Sequence, residues 1–210
     1  MTPERYLKIE AYMRSCMDLT AHDRQHVYRV LKNARHIAEG MPGVDMDVLE
    51  TAALLHDIGR PAQLRDPALD HAEVGAEMAE AFLKGEGFEP AFIAAVCHCI
   101  RAHRFRKALP PETVEAKILF DADKLDVTGA IGIARTLLYQ GQTDRPLYDA
   151  DENGTPLLTG SDAPSFFKEY NFKLKNLYDR FLTERGALLA KERQKAAVDF
   201  CEALTREIEG

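Results

Sequence analysis

The chain has 210 residues, 46% hydrophobic and 29% charged, with a formal net charge of -7 at pH 7. That length and composition suit a folded chain with a proper core, and the negative balance argues against a nucleic-acid polymer as partner. No apolar run approaches the ~20 residues a membrane span needs, and the N-terminal MTPERYLKIE lacks the basic-then-apolar order of a signal peptide. No membrane partner and a cytoplasmic address are therefore expected.

Taken in order, residues 3–17 are predicted helical, with Tyr6, Ile9, Tyr12, Met13 and Cys16 at helical spacing. Thr20 and Asp23 stand three apart ahead of Val27, Val30, Leu31, Ala34 and Ile37, a capping-box-like start to a second helix ending at Gly40. On it His26, Val30, Asn33 and Ile37 share one face, so His26 looks toward the core. A third helix starts near Asp45 or Asp47, runs through Val48, Leu49, Ala52 and Leu55, and delivers His56 and Asp57 at its end. Asp70 is expected to cap a helix over 71–84 that Gly85 and Gly87 terminate. Pro90 opens the next, with Phe92, Ile93, Val96, Cys97 and Ile100 apolar and His98 and His103 toward its end. Pro110 and Pro111 precede a helix over 112–120, whose end meets the acidic cluster Asp121, Asp123 and Asp126.

Residues 129–138 also read as helix. The stretch 140–165 is rich in Gly, Pro and Asp, with the length of either a lid or a disordered segment. Asp162 and Pro164 are expected to start a helix through Phe166, Phe167, Tyr170, Leu174, Leu177 and Phe181, and a last helix spans 186–208. No convincing strand occurs. The fold class is all-α, in one domain over 1–210 with a core of about 20–135 and C-terminal helices packing on it. The four cysteines, Cys16, Cys97, Cys99 and Cys201, fit neither a disulfide framework nor a zinc ribbon. Cys97 and Cys99, two apart on a helix, point to nearly opposite sides, so reduced and mostly buried thiols are expected.

The chemistry concentrates where charge adjoins an apolar run. His56 and Asp57 follow Ala52, Ala53, Leu54 and Leu55 directly, and burying a carboxylate there costs several kcal/mol unless a cation or donors compensate. A divalent metal compensates simply, since imidazole supplies nitrogen and carboxylate supplies oxygen; the plainer alternative is a helix end with His56 on a carbonyl and Asp57 in water. His26, His56, Asp57 and Asp123 each lie at or near a helix beside apolar residues, so a packed bundle can converge them. Two imidazoles and two carboxylates leave an octahedral ion two open positions, enough to activate a water, polarise a phosphoryl oxygen and orient the pair for in-line attack.

The pattern His26, His56-Asp57, Asp123 resembles the HD superfamily of metal-dependent phosphohydrolases. The strings DRQHVYRV, AALLHDIGR, HAEVGA, DADKLDVTGAIGIAR and LTERGALLAKER resemble the YedJ/YpgQ-like HD proteins within it. The resemblance implies an HD-domain helical bundle with additional C-terminal helices. It implies one divalent ion, Mn²⁺ or Mg²⁺ in use with Fe, Co, Ni and Zn also compatible, and cleavage of a phosphate ester or anhydride in a nucleotide, as in nucleoside triphosphate hydrolysis releasing pyrophosphate. Carried across by motif, the metal ligands are His26, His56, Asp57 and Asp123, while Asp121 and Asp126 read as capping or hydrogen-bonding acids.

Asp57 is then expected to orient or deprotonate the water, with His71, His103 and Lys124 as further catalytic groups. Arg29, Arg60, His71, His103 and Lys124 are expected to meet phosphate, helped by the basic string from Arg101 to Lys107. His71 and His103 stand where two-metal HD proteins place ligands for a second ion, although the Gly-Tyr-Pro element of cyclic-dinucleotide phosphodiesterases is missing after His103. The expected partner is a small phosphate-containing molecule, with a homodimer compatible. A di-iron HD oxygenase and a non-catalytic nucleotide sensor are the other classes the same residues suit.

Overall fold

The first part of the chain is built around a helix buried along most of its length. In the computed structural model, which describes residues 1–17, 21–104, 109–159 and 163–210 and of residues 21–23 only the backbone, α3 spans Met46–Leu55. Its Val48, Leu49 and the run Thr51 to Leu55 are all buried, as expected of a helix surrounded by others. Asp45 caps it, its carboxylate accepting from the amides of Asp47 (3.0 Å) and Val48 (3.1 Å). Thr20 and the side chain of Asp23 from the expected capping pair, the basic residues Arg106 and Lys107 with Phe105 between His103 and Pro110, and Asp162 as a helix start lie outside what is described.

The chain divides into two compact units, Met1–Asp123 and Lys124–Gly210. The first holds α1 (Pro3–Cys16), α2 (Ala21–Ala38), α3, α4 (Arg60–Arg65), α5 (His71–Gly85), α6 (Pro90–Ala102) and most of α7 (Val114–Leu125). Around α3 pack α1, α2 and α6, while α5 lies against α6. Asp70 caps α5 by accepting from the Ala72 amide at 3.0 Å, and Gly87 leaves it at φ +70°.

One departure from the expected elements bears on the site. The acidic cluster does not follow its helix: α7 continues to Leu125, so Asp121 and Asp123 lie within its last turns. The reason is the apolar series Ile118, Ala122 and Leu125, all fully buried, which keeps the helical face in register with the core.

The second unit contains α8 (Gly129–Gln142), a hairpin of β1 (Asp149–Ala150) and β2 (Pro156–Leu157), α9 (Phe166–Phe172), a 3-10 turn over Leu174–Asn176, and α10 (Glu184–Glu209). Its core gathers Ile133, Phe166, Phe167, Tyr170, Leu174, Leu177, Ala197 and Cys201. The all-α class holds, with two corrections. The stretch read as irregular contains the two-residue strand pair, Asp149 facing Leu157. Asp151 accepts from the amides of Asn153 (2.8 Å) and Thr155 (2.9 Å) to close its turn, too local a device to leave an alternating pattern. The helix expected through Phe181 stops at Phe172; Ser165 caps it, and Leu174 and Leu177 reach the core by way of the 3-10 turn instead. All four cysteines are free, three of them buried. Among the described residues no helix is long and apolar enough to cross a membrane.

Candidate metal centre

The first unit brings six side chains to one place. His26 comes from α2, where it is 4% exposed on the buried face shared with Val30, Asn33 and Ile37. Asn33 ties that helix to α7, donating from Nδ2 to the Ala122 carbonyl at 3.1 Å. The neighbouring residue on α7, Asp123, then places Oδ1 at 3.1 Å from His26 Nε2.

His56 follows the last turn of α3. Its Nδ1 lies 2.8 Å from the Ala53 carbonyl, which can only accept, so Nδ1 carries the proton and Nε2 offers a lone pair. That Nε2 is 3.4 Å from His26 Nε2. Asp57, 3% exposed, turns its two oxygens to different neighbours. Oδ2 faces His26 Nε2 (3.5 Å) and His56 Nε2 (3.7 Å), whereas Oδ1 faces His71 Nε2 (3.2 Å), His103 Nε2 (3.8 Å) and Arg60 Nε (3.0 Å).

His71 opens α5 and His103 follows α6, each at most 1% exposed. His103 Nδ1 donates to the Ile100 carbonyl at 2.6 Å, and His71 Nδ1 lies 2.7 Å from Gln63 Oε1. The inward Nε2 atoms of both rings are buried with no hydrogen-bond partner; the approach of His71 to Asp57 is off-line for such a bond. A buried acceptor left unpaired costs about 1–3 kcal/mol.

Two triads result, His26/His56/Asp123 and Asp57/His71/His103, the donor atoms within each lying within 4.8 Å of one another. Donors sharing one ion at about 2.1 Å stand roughly 3–4 Å apart, close to the separations seen here. The donor set passes the test for a divalent cation on its unpaired nitrogens and its excess of acceptors.

The protonation states agree. Burial lowers the pKa of His56, and burial with neighbouring His56 brings that of His103 down to about 4, so both rings are neutral at pH 7. For Asp57 burial opposes ionisation, but His56, Arg60, His71 and His26 outweigh it and hold the carboxyl well below its ordinary value. Asp123 is likewise held low, burial being overcome by the hydrogen bond and charge of His26 and then by His56 and His103.

A backbone contact sets these segments against each other. A Cβ on Gly59 would lie 2.2 Å from the His71 carbonyl oxygen and 2.7 Å from the Gly75 amide nitrogen. Only glycine lets the turn after Asp57 pack on the first turn of α5.

The other expected residues are more scattered. Arg60 pairs with Asp57 rather than pointing away from it. Arg29 is half-buried on α2 one turn beyond His26, and Lys124, half-buried on α7, belongs to the second unit. Of the basic string, Arg101 pairs with Glu73 at 3.2 Å, and Arg104 lies 3.5 Å from Asp70 and 3.3 Å from His71 Nδ1. His98 is taken up away from the cluster, accepting from the Glu112 amide at 3.3 Å. Asp121 is fully buried, and Asp126 pairs with Arg135 at 2.7 Å, a hydrogen-bonding acid as expected. Gln63, Asn33 and the individual placement of Arg104 escaped the sequence reading. Asn33 shared the His26 face and could have been found there; Gln63, on a six-residue helix, offered no periodic signal.

Comparison with known proteins gives a consistent result. The family model described as HD domain matches residues 24–128. YpgQ of Bacillus subtilis (strain 168) is 30% identical over 209 residues, covering 97% of this chain and 93% of its own. The crystal structure of Bacillus subtilis YpgQ in complex with ADP superposes with a TM-score of 0.75 at 28% identity, over 99% of this chain and 96% of that one. That of an HD-superfamily hydrolase from Bacillus thuringiensis gives 0.75 at 29% identity, over 97% and 96%.

Proposed function

The chain belongs to the HD domain family, and from that membership we propose that it is a metal-dependent phosphohydrolase acting on nucleotides, a nucleoside triphosphate losing pyrophosphate being the leading case. The observation that carries this reading is the convergence of four buried imidazoles with buried Asp57 and partly exposed Asp123, in which acceptors outnumber donors. The ADP held by Bacillus subtilis YpgQ supports a nucleotide as ligand. Four free cysteines support a reducing, cytoplasmic setting.

In this reading His26, His56, Asp57 and Asp123 hold one divalent ion, Mn²⁺ or Mg²⁺. When bound, it supplies Lewis acidity toward a phosphoryl oxygen and toward the attacking water. Asp57, ionised at neutral pH, orients that water and accepts from it. Arg60, its side chain 39% exposed, neutralises part of the carboxylate charge and is a cation for a phosphate oxygen. Arg29 is a further cation for the polyphosphate. The water oxygen bonds to phosphorus as the bridging P–O bond breaks and pyrophosphate leaves.

A second reading concerns the number of ions. With Nδ1 on the Ile100 carbonyl in His103 and on Gln63 Oε1 in His71, the inward Nε2 atoms are the ones that present lone pairs. That favours ligation of a second ion by Asp57, His71 and His103 over proton donation to the substrate.

A screen of phosphate and pyrophosphate release over nucleotides with Mn²⁺, Mg²⁺ and Co²⁺ tests the proposal. Release that EDTA abolishes and Mn²⁺ restores is expected. Nucleotide-dependent thermal shifts without any release, or two irons per chain with oxygen uptake, would overturn it in favour of a sensor or an oxygenase.

A further inference from the structure

We propose that Gln63 is a positioning residue that fixes the tautomer of His71, and so decides whether that ring can serve as a metal ligand; the inference rests on the two-ion reading of the site. His71 Nδ1 has two polar neighbours making opposite demands. Gln63 Oε1 at 2.7 Å accepts and requires a proton on Nδ1. Arg104 Nη1 at 3.3 Å donates and requires a lone pair there. The first arrangement leaves Nε2 bare and aimed into the site. The second protonates Nε2, which then faces Asp57 Oδ1 at 3.2 Å as a donor and cannot ligate.

The geometry resolves this competition in favour of Gln63. Its amide cannot turn over without loss, because Nε2 donates to the Leu69 carbonyl at 2.9 Å, which leaves Oε1 toward the ring. That carbonyl is itself held by the loop between α4 and α5. Leu69 N–H bonds to the Asp66 carbonyl at 3.1 Å, and the Asp66 side chain accepts from the Ala68 amide at 3.0 Å. The shorter contact and the anchored amide outweigh the longer approach of Arg104, whose guanidinium also lies 3.5 Å from Asp70. The bare Nε2 that results is one of the buried nitrogens without a hydrogen bond. A partner of this kind behind a ligating histidine affects metal affinity by about 10–100-fold. His56 and His103 have backbone carbonyls in that position, which no substitution removes. In His71 the partner is a side chain, so this ring alone of the three has an adjustable tautomer.

The test uses the metal-free full chain with ¹⁵N-labelled histidine, reading the His71 tautomer by long-range ¹H–¹⁵N correlation, and then Mn²⁺ titration followed by the EPR signal of the free ion. Wild type is expected to show the Nδ1–H form and two classes of Mn²⁺ site. Gln63→Leu should move His71 to the Nε2–H form and weaken the second class by about 10–100-fold while the first stays within about threefold. Gln63→Glu, which retains an acceptor, should keep both the tautomer and the second class. An unchanged tautomer in Gln63→Leu, or a changed tautomer with both Mn²⁺ classes intact, overturns the inference and leaves the two-ion reading standing. A wild-type titration ending at one Mn²⁺ overturns that reading itself, before any variant is compared.

Discussion

Asp57 in the first unit and Asp126 in the second are buried to almost the same degree, 3% and 1% exposed, and differ in their surroundings. Asp126 receives Arg135 at 2.7 Å and lies in the field of Arg193, whose own pKa burial and then Asp126 influence in opposite senses. Arg193 further donates to the Leu125 carbonyl at 2.9 Å. The charge there is met by fixed donors. Among the described residues Asp57 receives Arg60 as a formal cation and otherwise faces imidazole nitrogens, two of them with no hydrogen bond. Burial of an acid therefore does not mark a site. A local surplus of acceptors does, because only a cation from solution can balance it.

Replacing each acid in turn tests this contrast most severely. Asp57→Ala is expected to lower Mn²⁺-dependent hydrolysis by roughly 10³-fold or more, with far-UV circular dichroism unchanged and Mn²⁺ uptake measured directly. Asp126→Ala should leave Mn²⁺ stoichiometry intact, so loss of metal in that variant would erase the distinction between the two regions.

Acid should expose the next difference. His56 and His103 have pKa values lowered in the fold, that of His103 to about 4, so the unfolded chain binds protons more readily as pH falls from about 6.5. Their contribution to the stability of the metal-free protein is whole above that pH and is lost as pH falls below it, the His103 part progressively down to about pH 4. The His103 share corresponds to about 3 kcal/mol, readable as the fall in urea midpoint between pH 7 and pH 4. In His103→Gln the pH slope should flatten; an equal slope would place the titration elsewhere.

Mn²⁺ at about 100 times its Kd should raise stability by about 2.7 kcal/mol, seen as an upward shift in Tm that EDTA reverses. Asp57→Ala should lose this shift and Asp126→Ala should keep it. Smallest is the direct effect of Asp126→Ala on unfolding, about 2 kcal/mol once the partial exposure of Arg135 is allowed for, measured by urea titration at pH 7.

The sequence made the helix-borne parts of the site legible. His26 stood on an apolar face and His56-Asp57 ended an apolar run, so burial and charge conflicted in plain view. What stayed hidden depends on which way a side chain turns. That Asp57 divides its oxygens between two triads follows from the turn over residues 56–59, where the Arg60 amide bonds to the Asp57 carbonyl at 2.9 Å, and no residue pattern encodes that direction. The C-terminal helices show the converse. Phe166, Tyr170, Leu174 and Leu177 keep helical spacing across a break at Lys173 (φ -123°, ψ -62°), so periodicity reported where the apolar groups go and missed how the backbone takes them there.

The bare α-carbon of Gly59 rests on the carbonyl of His71 with no room for a methyl group. Two stretches of chain that each furnish donors are thereby seated as a single rigid joint, and any bulk inserted there would wedge His56 and Asp57 away from His71 together. An imprecise metal pocket would survive small errors in one arm; this one transmits them to the other, so the spacing of the whole constellation is inherited from the thickness of one hydrogen atom.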